Sequence, residues 1–452
     1  MAYLASERAT DLRSAYRICD LAPLEGKDLK YYTDLGSVRK SQAISNISTN
    51  LDLQMPGEFE VIWFTGHRGC GKSTELRRLE IDWRKQYHVV YLETDEISDI
   101  NDLEYTDIYL LVVQYVEYEL RKLGIQLDQG IIKDFGDWFA DITEETEQSV
   151  NKSISLEGEV TLGLNNPFPI PFLPKLLAKL TSQIKAGANT KKTIRQVLEK
   201  DISRLRTSIN LLLDDAAKKL KIKLKNPDHK GILVILDNLD RCPANVADRL
   251  FINYAAQLQE LRCTMIYTLP ISLLYSPRSL SNSFEKPAIV PMVNIYQYDP
   301  ADQPLCCNDP SITALVGLVE KRMDINAVFA DREQLLEIIR ASGGHIRHLM
   351  QMIREACLTA IGRGQTMITA DDSTYAIKQL QFDFERQIPD DNYPAIAETY
   401  LKKKVANNKI GQENLFNTSV LEYNGDRRWN YPHPVVIKID AFQQALTKSL
   451  TP

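Results

Sequence analysis

The sequence predicts an α/β fold: a doubly wound domain with a parallel sheet, then a helical domain and a small C-terminal domain. The first observation is that short apolar, β-rich runs alternate with helical stretches over residues 58–300. Such alternation is typical of parallel strands covered by helices on both faces. The second is that the pattern beyond Pro310 becomes all helical, until Asn424-Gly425 indicates a hairpin turn near the C-terminus.

The composition is that of an ordinary globular protein. Of the 452 residues, 44% are hydrophobic and 25% charged, which excludes a disordered or collagen-like chain. The net charge of -6 argues against a dedicated nucleic-acid coat, although a local basic face is compatible with it. The seven cysteines include no C-x-x-C pair, as expected in a reducing compartment. Because no signal peptide or transmembrane segment is visible, we expect a cytoplasmic location.

The pattern divides the chain into four regions. Residues 1–57 are an N-terminal lead-in, residues 58–300 the α/β core, residues 310–388 the helical domain and residues 389–452 the C-terminal domain. The alternation is interrupted at about 125–205, which we interpret as an insertion into the core. The predicted strands are 59–65, 87–94, 231–237, 263–269 and 291–296. The predicted helices of the helical domain are 312–323, 332–340, 345–360 and 370–386.

A glycine-rich turn follows the first predicted strand and fits the pattern G-x-x-x-x-G-K-[ST]. Glycines let the backbone wrap a phosphate, and successive N–H groups then form an anion nest beside a helix N-terminus. Lys72 would reach the β- and γ-phosphates, and the Ser73 hydroxyl would ligate Mg²⁺. The predicted phosphate-binding residues are Gly66, His67, Arg68, Gly69, Cys70, Gly71, Lys72, Ser73 and Thr74.

A second acidic motif ends the most apolar predicted strand. Asp237 follows five apolar residues, and an acid at this place can hold Mg²⁺ through water beside the phosphate loop. Hydrolysis also needs a group that orients or deprotonates water, and Asn238 cannot act as a base. Asp240 is the best local substitute, although a helix-capping role for it stays open. We therefore expect slow hydrolysis.

With these motifs the chain resembles P-loop ATPases of the AAA+/STAND type, and most of all the branch with KAP-like and origin-recognition-like ATPases. Its loop is similar to the GxRGxGKS of that branch, and residues 232–241 are similar to hhhhDDLDR, with Asn238 replacing the usual second acid. The resemblance implies a P-loop NTPase fold in which the helical domain is a lid and the C-terminal domain is winged-helix-like. It implies ATP and Mg²⁺ as ligands.

The resemblance also implies roles for residues outside the two motifs. Arg39 would belong to the segment that holds the adenine, and Thr268 would be the polar sensor that ends the next strand. Arg347, after Gly343-Gly344, would be the second sensor, whose planar fork can grip a phosphate. Arg241 and Arg249 are candidate fingers across a subunit interface. For each of them a plain structural role, in a turn, a strand end or a helix surface, stays open.

These residues predict an ATP-binding, slowly hydrolysing conformational or assembly switch, with a role in microbial defence signalling suggested by the resemblance. The predicted catalytic residues are Lys72, Asp237, Asp240 and Arg347, and the predicted metal-binding residues are Ser73 and Asp237. We expect a homo-oligomer with an unidentified protein partner. Two alternatives stay open: a DNA-binding loader of the origin-recognition type, with nucleic acid as a partner, and a nucleotide-bound scaffold without turnover.

Overall fold

The structure is a computed structural model. It describes residues 8–138, 195–196, 198–278, 286–301 and 304–450. Most of the insertion expected at about 125–205 lies outside the described residues. In the part of the chain that the structure describes, no helix is both long and apolar enough to cross a membrane.

A five-stranded parallel sheet forms the centre of the core, with the strand order β2-β3-β4-β1-β5. Every residue of β3 is buried, as its apolar sequence predicts for a strand covered on both faces. The strands are β1 Val61–Gly66, β2 Tyr87–Glu93, β3 Gly231–Asp237, β4 Thr264–Pro270 and β5 Ala288–Val290.

The predicted position of the fifth strand, 291–296, is wrong. The strand that pairs with the outer side of β1, opposite β4, is β5, which lies just before that range and aligns with Phe64–Gly66. Met292 and Val293 are apolar because they are buried beneath the C-terminal domain, where the Met292 N–H donates to the Glu422 carbonyl at 3.1 Å. An apolar run in the sequence therefore does not distinguish a strand of the sheet from an extended segment that another domain covers.

Helices cover both faces of the sheet, because alternate residues of each strand point to opposite sides. Phe64 packs with α3 and α4, whereas its neighbour Trp63 packs with α6 and α7 on the other face. Residues 129–138 are helical as well. The labelled helices up to the end of the core are α1 Leu12–Ile18, α2 Gly36–Arg39, α3 Ala43–Leu53, α4 Lys72–Trp83, α5 Thr94–Ile97, α6 Tyr105–Lys122, α7 Ile202–Leu224 and α8 Ala244–Asp248.

The helical domain contains the four predicted helices, with ends shifted by at most three residues, and one short additional helix. Two of the helices begin at capping boxes: Asp331 caps α11 together with Gln334, and Thr369 caps α13 together with Asp372. The helices of this domain are α9 Asp309–Glu320, α10 Ile325–Val328, α11 Arg332–Ala341, α12 Ile346–Gly362 and α13 Ala370–Gln387.

The C-terminal domain combines helices with a two-stranded antiparallel hairpin, whose turn at Asn424-Gly425 the sequence predicts correctly. Tyr423 and Trp429 face each other across the hairpin, with ring centroids 4.8 Å apart. The arrangement confirms the predicted fold class of a parallel α/β core, helical lid and winged-helix-like C-terminal domain. Its elements are α14 Tyr393–Lys402, α15 Lys409–Phe416, β6 Val420–Asn424, β7 Arg428–Pro432, α16 Pro434–Ile437 and α17 Asp440–Leu450.

Candidate functional site

The predicted phosphate loop is the turn between β1 and α4, and its glycines are required by space and by backbone conformation. A Cβ atom on Gly66 would lie 2.4 Å from the Val290 carbonyl oxygen. A Cβ on Gly69 would lie 2.3 Å from Cε1 of His345. Gly69 and Gly71 also have positive φ angles, 78° and 105°, which disfavour any other residue. The loop can therefore form only with glycine at these positions.

The loop opens onto a cavity between the core and the lid. Gly71 is the N-cap of α4 and has no side chain that could cap the helix, so the first-turn N–H groups are available to an anion. The predicted residues that line the cavity are Arg39, Arg68, Gly69, Cys70, Gly71, Lys72, Ser73, Thr74, Asp240 and Arg347.

Lys72 is buried at the start of α4, and its ammonium group has three acceptors. Nζ lies 2.9 Å from the Gly66 carbonyl oxygen, 2.8 Å from that of His67 and 2.8 Å from Oδ2 of Asp240. Burial by itself would lower the pKa of Lys72, but the neighbouring negative charges, foremost that of Asp240, together outweigh burial, so that the pKa is raised. Lys72 is therefore held in its charged form beside the loop.

Asp237 ends β3 and is buried beside this lysine. It accepts hydrogen bonds from the Tyr91 hydroxyl at 2.7 Å, from the Asn238 N–H at 2.8 Å and from Ser73. Burial, followed by the neighbouring Asp240 carboxylate, raises the pKa of Asp237. Two carboxylates and a hydroxyl close together are the oxygen ligands that Mg²⁺ prefers, and a cation would relieve the repulsion between the acids. The residues therefore fit the ion that the sequence predicts.

Arg347 is the second residue of α12 and faces the loop from the lid. Its N–H donates to the Gly69 carbonyl at 3.1 Å, and its side chain lines the cavity. Burial, then the positive charges of Arg241 and Arg68, lowers the pKa of Arg347. Its guanidinium group has no ion-pair partner among the described residues. An anion between these three arginines would relieve their repulsion.

Two further predicted residues, Arg39 and Thr268, make specific contacts around the site. Arg39 contacts the phosphate loop itself, because its guanidinium group donates to the Cys70 carbonyl and lies 3.6 Å from Glu75. Thr268 lies outside the cavity lining, and its buried hydroxyl donates to the Leu236 carbonyl at 3.1 Å and accepts from the Leu239 N–H at 3.0 Å. Thr268 therefore ties the end of β4 to the end of β3.

The two candidate finger arginines are both paired within their own chain. Arg249 lies 3.0 Å from Glu104 and does not line the cavity. Arg241 pairs with Asp95 and lines the cavity of its own chain. A role across a subunit interface would require Arg249 to leave its partner.

Several cavity residues carry no motif and were missed by sequence reasoning. Glu75 is buried in the first turn of α4 and accepts a hydrogen bond from the Tyr32 hydroxyl at 2.9 Å. Arg322, from the loop after α9, is buried and donates to the Leu318 carbonyl at 2.9 Å. The segment Asp20–Leu24 forms another wall. Only the tertiary fold brings these residues to the loop, so no local pattern could have identified them.

The C-terminal domain contacts the phosphate loop directly. Nε2 of His67 accepts a hydrogen bond from the Glu422 N–H at 2.8 Å. The Arg68 guanidinium group lies 5.6 Å from the centre of the Phe416 ring, within the range of a cation–π contact. The Tyr423 hydroxyl donates to the Gly343 carbonyl at 2.6 Å, in the turn before Arg347. The domain thus contacts both the loop and the lid.

Four of the six histidines gather where the loop, lid and C-terminal domain meet, and we call His67, His345, His348 and His433 the histidine cluster. The rings of His345 and His348 stack at 3.6 Å, and Nδ1 of His348 lies 3.0 Å from Nε2 of His433. Burial lowers the pKa of His67 and of His348 to about 3, and it lowers those of His345 and His433 well below the ordinary value. The cluster is therefore neutral in the folded protein.

We expect this cluster to make stability depend on pH. The unfolded chain protonates these histidines near pH 6.5, whereas the folded chain resists protonation until about pH 3, as for His67 and His348. Their contribution to the free energy of unfolding is complete above pH 6.5. It is lost as the pH falls towards 3, by up to about 1.4 kcal/mol per pH unit for each histidine. Tm should drop between pH 7 and 5, less steeply in His348→Phe. Equal slopes for both proteins would contradict the expectation.

The phosphate loop follows β1, and the acid Asp237 ends β3, which lies two positions from β1 in the sheet. Together these features define the core as a P-loop NTPase. Residues 41–254 match the family model described as the KAP family P-loop domain. This part of the chain therefore resembles the P-loop domain of the KAP family, in agreement with the resemblance in the sequence motifs.

Three solved structures follow a similar chain path. The Aeropyrum pernix ORC2 protein is 13% identical, with a TM-score of 0.40 over 96% of this chain and 98% of that chain. Cdc6p from Pyrobaculum aerophilum is 9% identical, with a TM-score of 0.40 over the same shares. The Aeropyrum pernix ORC1 protein in complex with DNA is 11% identical, with a TM-score of 0.36 over 92% and 93%. Likeness of this degree supports no functional conclusion. No curated protein matches the sequence significantly.

Proposed function

We propose that the chain binds ATP with Mg²⁺ and hydrolyses it slowly, and that the bound nucleotide sets the positions of the lid and the C-terminal domain. One observation supports this proposal: Lys72 and Ser73 of the phosphate loop and Arg347 of the lid all line the same cavity. Lys72 lies at the helix start, and Arg347 lies opposite it on the lid. Such a site suits a triphosphate, whose charge both residues would balance.

The reaction would be in-line attack of water on the γ-phosphorus. A bond from the water oxygen to phosphorus forms, the bond from phosphorus to the β–γ bridging oxygen breaks, and ADP leaves with the electron pair. Lys72 and Arg347 stabilise the charge on the transferred group. When bound, magnesium neutralises charge on the phosphate oxygens, and Ser73 and Asp237 are the residues that would hold it. The proton of the water passes to the Asp240 carboxylate.

Slow turnover is supported by the present partner of Asp240. Its carboxylate lies 2.8 Å from Nζ of Lys72, the group that a triphosphate would also bind. A phosphate must therefore displace Asp240 before the carboxylate can accept a proton. Asn238, at the position of the usual second acid, cannot replace it as a base.

The proposal that the nucleotide acts as a switch rests on contacts of the loop. The Gly69 carbonyl accepts a hydrogen bond from the Arg347 N–H of the lid, and His67 accepts one from the Glu422 N–H of the C-terminal domain. Any loop movement that accompanies phosphate binding would therefore bias both domains. A homo-oligomer and a protein partner belong to the same proposal. A role in microbial defence signalling rests on the resemblance to KAP-like ATPases alone.

A second candidate function is that of a DNA-binding loader. It is favoured by Arg427 and Arg428, which are exposed at the tip of the β6–β7 hairpin, where a winged-helix wing would contact phosphates. Asp426 beside them weakens this positive charge. The net charge of the whole chain, -6, does not support extensive contact with nucleic acid.

Release of inorganic phosphate from ATP·Mg²⁺ tests the proposal. Asp237→Asn should slow release about 100-fold, because the amide removes a negative charge from the metal-holding position. Tyr91→Phe is the matched control. It removes the hydroxyl that donates a hydrogen bond to Asp237 at 2.7 Å but leaves the Asp237 carboxylate, so phosphate release should persist. A wild type that binds ATP yet releases no more phosphate than Asp237→Asn would indicate a scaffold without turnover. Stimulation of release by duplex DNA, lost when Arg427 and Arg428 become alanine, would favour the loader.

A further inference from the structure

A carboxylate stands next to Asn238, although the motif lacks one at that position. β2 pairs with β3 so that Glu93 lies opposite Asp237, and Asp95 follows two residues later in α5. Nδ2 of Asn238 donates to Oδ1 of Asp95 at 2.7 Å. The other carboxylate oxygen of Asp95 accepts a hydrogen bond from Arg241. Asp95 thus holds two residues that both line the cavity.

This contact determines how the Asn238 amide is oriented. An ionised carboxylate can only accept hydrogen bonds, so it binds the NH₂ side of the amide and leaves the carbonyl Oδ1 on the opposite side. Asn238 has a φ of 67°, in the left-handed region that asparagine tolerates better than most residues. Its amide is therefore presented in a fixed orientation at the edge of the cavity.

Arg241 is oriented by the same carboxylate. Its positive charge lies close enough to Arg347 to lower the pKa of that residue. The ion pair with Asp95 offsets this repulsion and allows two guanidinium groups to share one cavity. Loss of the Asp95 carboxylate would free the amide and leave the arginines to repel each other.

We propose that Asp95 is a positioning residue for ATP hydrolysis: through Asn238 it presents Oδ1 as the acceptor that orients the attacking water, and it keeps Arg241 beside the γ-phosphate. The inference rests on the proposed function. Asn238 accepts a hydrogen bond from the water and takes no proton, and the proton goes to Asp240 as described above. The carboxylate that the motif lacks after Asp237 is thus supplied by Asp95 of α5, which follows the neighbouring strand β2.

The test measures kcat and KM for ATP in Asp95→Asn, with Glu96→Gln as the matched control. Glu96 is exposed and next in the chain, and its replacement removes the same charge. In Asp95→Asn we expect kcat to fall about tenfold to 100-fold, because the attacking water and Arg241 are both misplaced. KM should change less than threefold, because Lys72 and the phosphate loop, which would bind most of the triphosphate, are unaltered. Glu96→Gln should keep the wild-type kcat. A loss of folding alone would instead lower the amount of active enzyme and the Tm, which is measured in parallel.

An exchange of the two side chains makes the test sharper. Asn238→Asp alone places two carboxylates next to each other and should lower kcat. Asn238→Asp combined with Asp95→Asn restores an amide–carboxylate pair, and its kcat should be at least tenfold higher than that of Asp95→Asn. The inference would be overturned if Asp95→Asn kept the wild-type kcat, or if the kcat of the exchange variant did not exceed that of either single variant. Neither result would affect the proposal that the wild type hydrolyses ATP. Phosphate release by the wild type no faster than by Lys72→Ala would overturn the proposed function itself.

Discussion

Replacing Lys72 by alanine should weaken the binding of ATP·Mg²⁺ by about 100-fold or more. The side chain is buried, and its ammonium group lies where the loop carbonyls of Gly66 and His67 converge. Truncation removes the charge that would meet the β- and γ-phosphates and leaves the Asp240 carboxylate to repel them. Titration with a fluorescent ATP analogue measures the change in Kd.

The control for this prediction separates lost binding from lost folding, because an unpaired buried carboxylate is itself destabilising. The double variant Lys72→Ala with Asp240→Asn removes the unpaired charge and should recover stability without recovering the wild-type Kd. Lys85→Ala changes an exposed lysine just beyond α4 and should bind like the wild type. Wild-type affinity in Lys72→Ala with a normal Tm would show that the loop does not bind the triphosphate.

Replacing Asp240 by asparagine should have opposite effects on binding and on turnover. The carboxylate competes with phosphate for Lys72 at 2.8 Å, so its neutralisation should tighten ATP binding by about tenfold. The amide cannot accept the proton of the attacking water, so phosphate release under saturating ATP should fall about 100-fold. Affinity and single-turnover release are measured on the same preparation.

The expected effects on binding and on turnover can be contradicted separately. Weaker ATP binding by Asp240→Asn would mean that the carboxylate supports the bound nucleotide, for example through the metal, and does not compete with it. Unchanged release would exclude Asp240 as the proton acceptor. Asp248→Asn, which alters an acid at the end of α8, is a control that should change neither quantity.

Local chemistry explains why much of the fold and the loop could be predicted. The glycines between β1 and α4 are required by positive φ angles and by close backbone contacts, which a sequence reveals through glycine spacing. β3 is buried along its whole length, so an uninterrupted apolar run identifies it. The helices of the lid begin at capping residues such as Asp331 and Thr369, which are local signals as well.

The parts that sequence reasoning missed depend on contacts between distant segments. The hydrogen bond from Glu422 to His67 joins residues 355 positions apart in the sequence. The hydrogen bond from Asn238 to Asp95 joins residues 143 positions apart. No periodicity or motif encodes such a pairing. The same holds for the burial of Met292 by the C-terminal domain, which made a covered segment resemble a sheet strand.

Calorimetric titration of the full chain with ATP·Mg²⁺ shows whether the cavity at the phosphate loop binds a nucleoside triphosphate. We expect saturable heat at one site per chain, reduced or absent in Lys72→Ala. Folding is verified on the same sample by its thermal transition. If neither ATP nor GTP produces heat with folded wild-type protein over several temperatures, the proposed binding is contradicted.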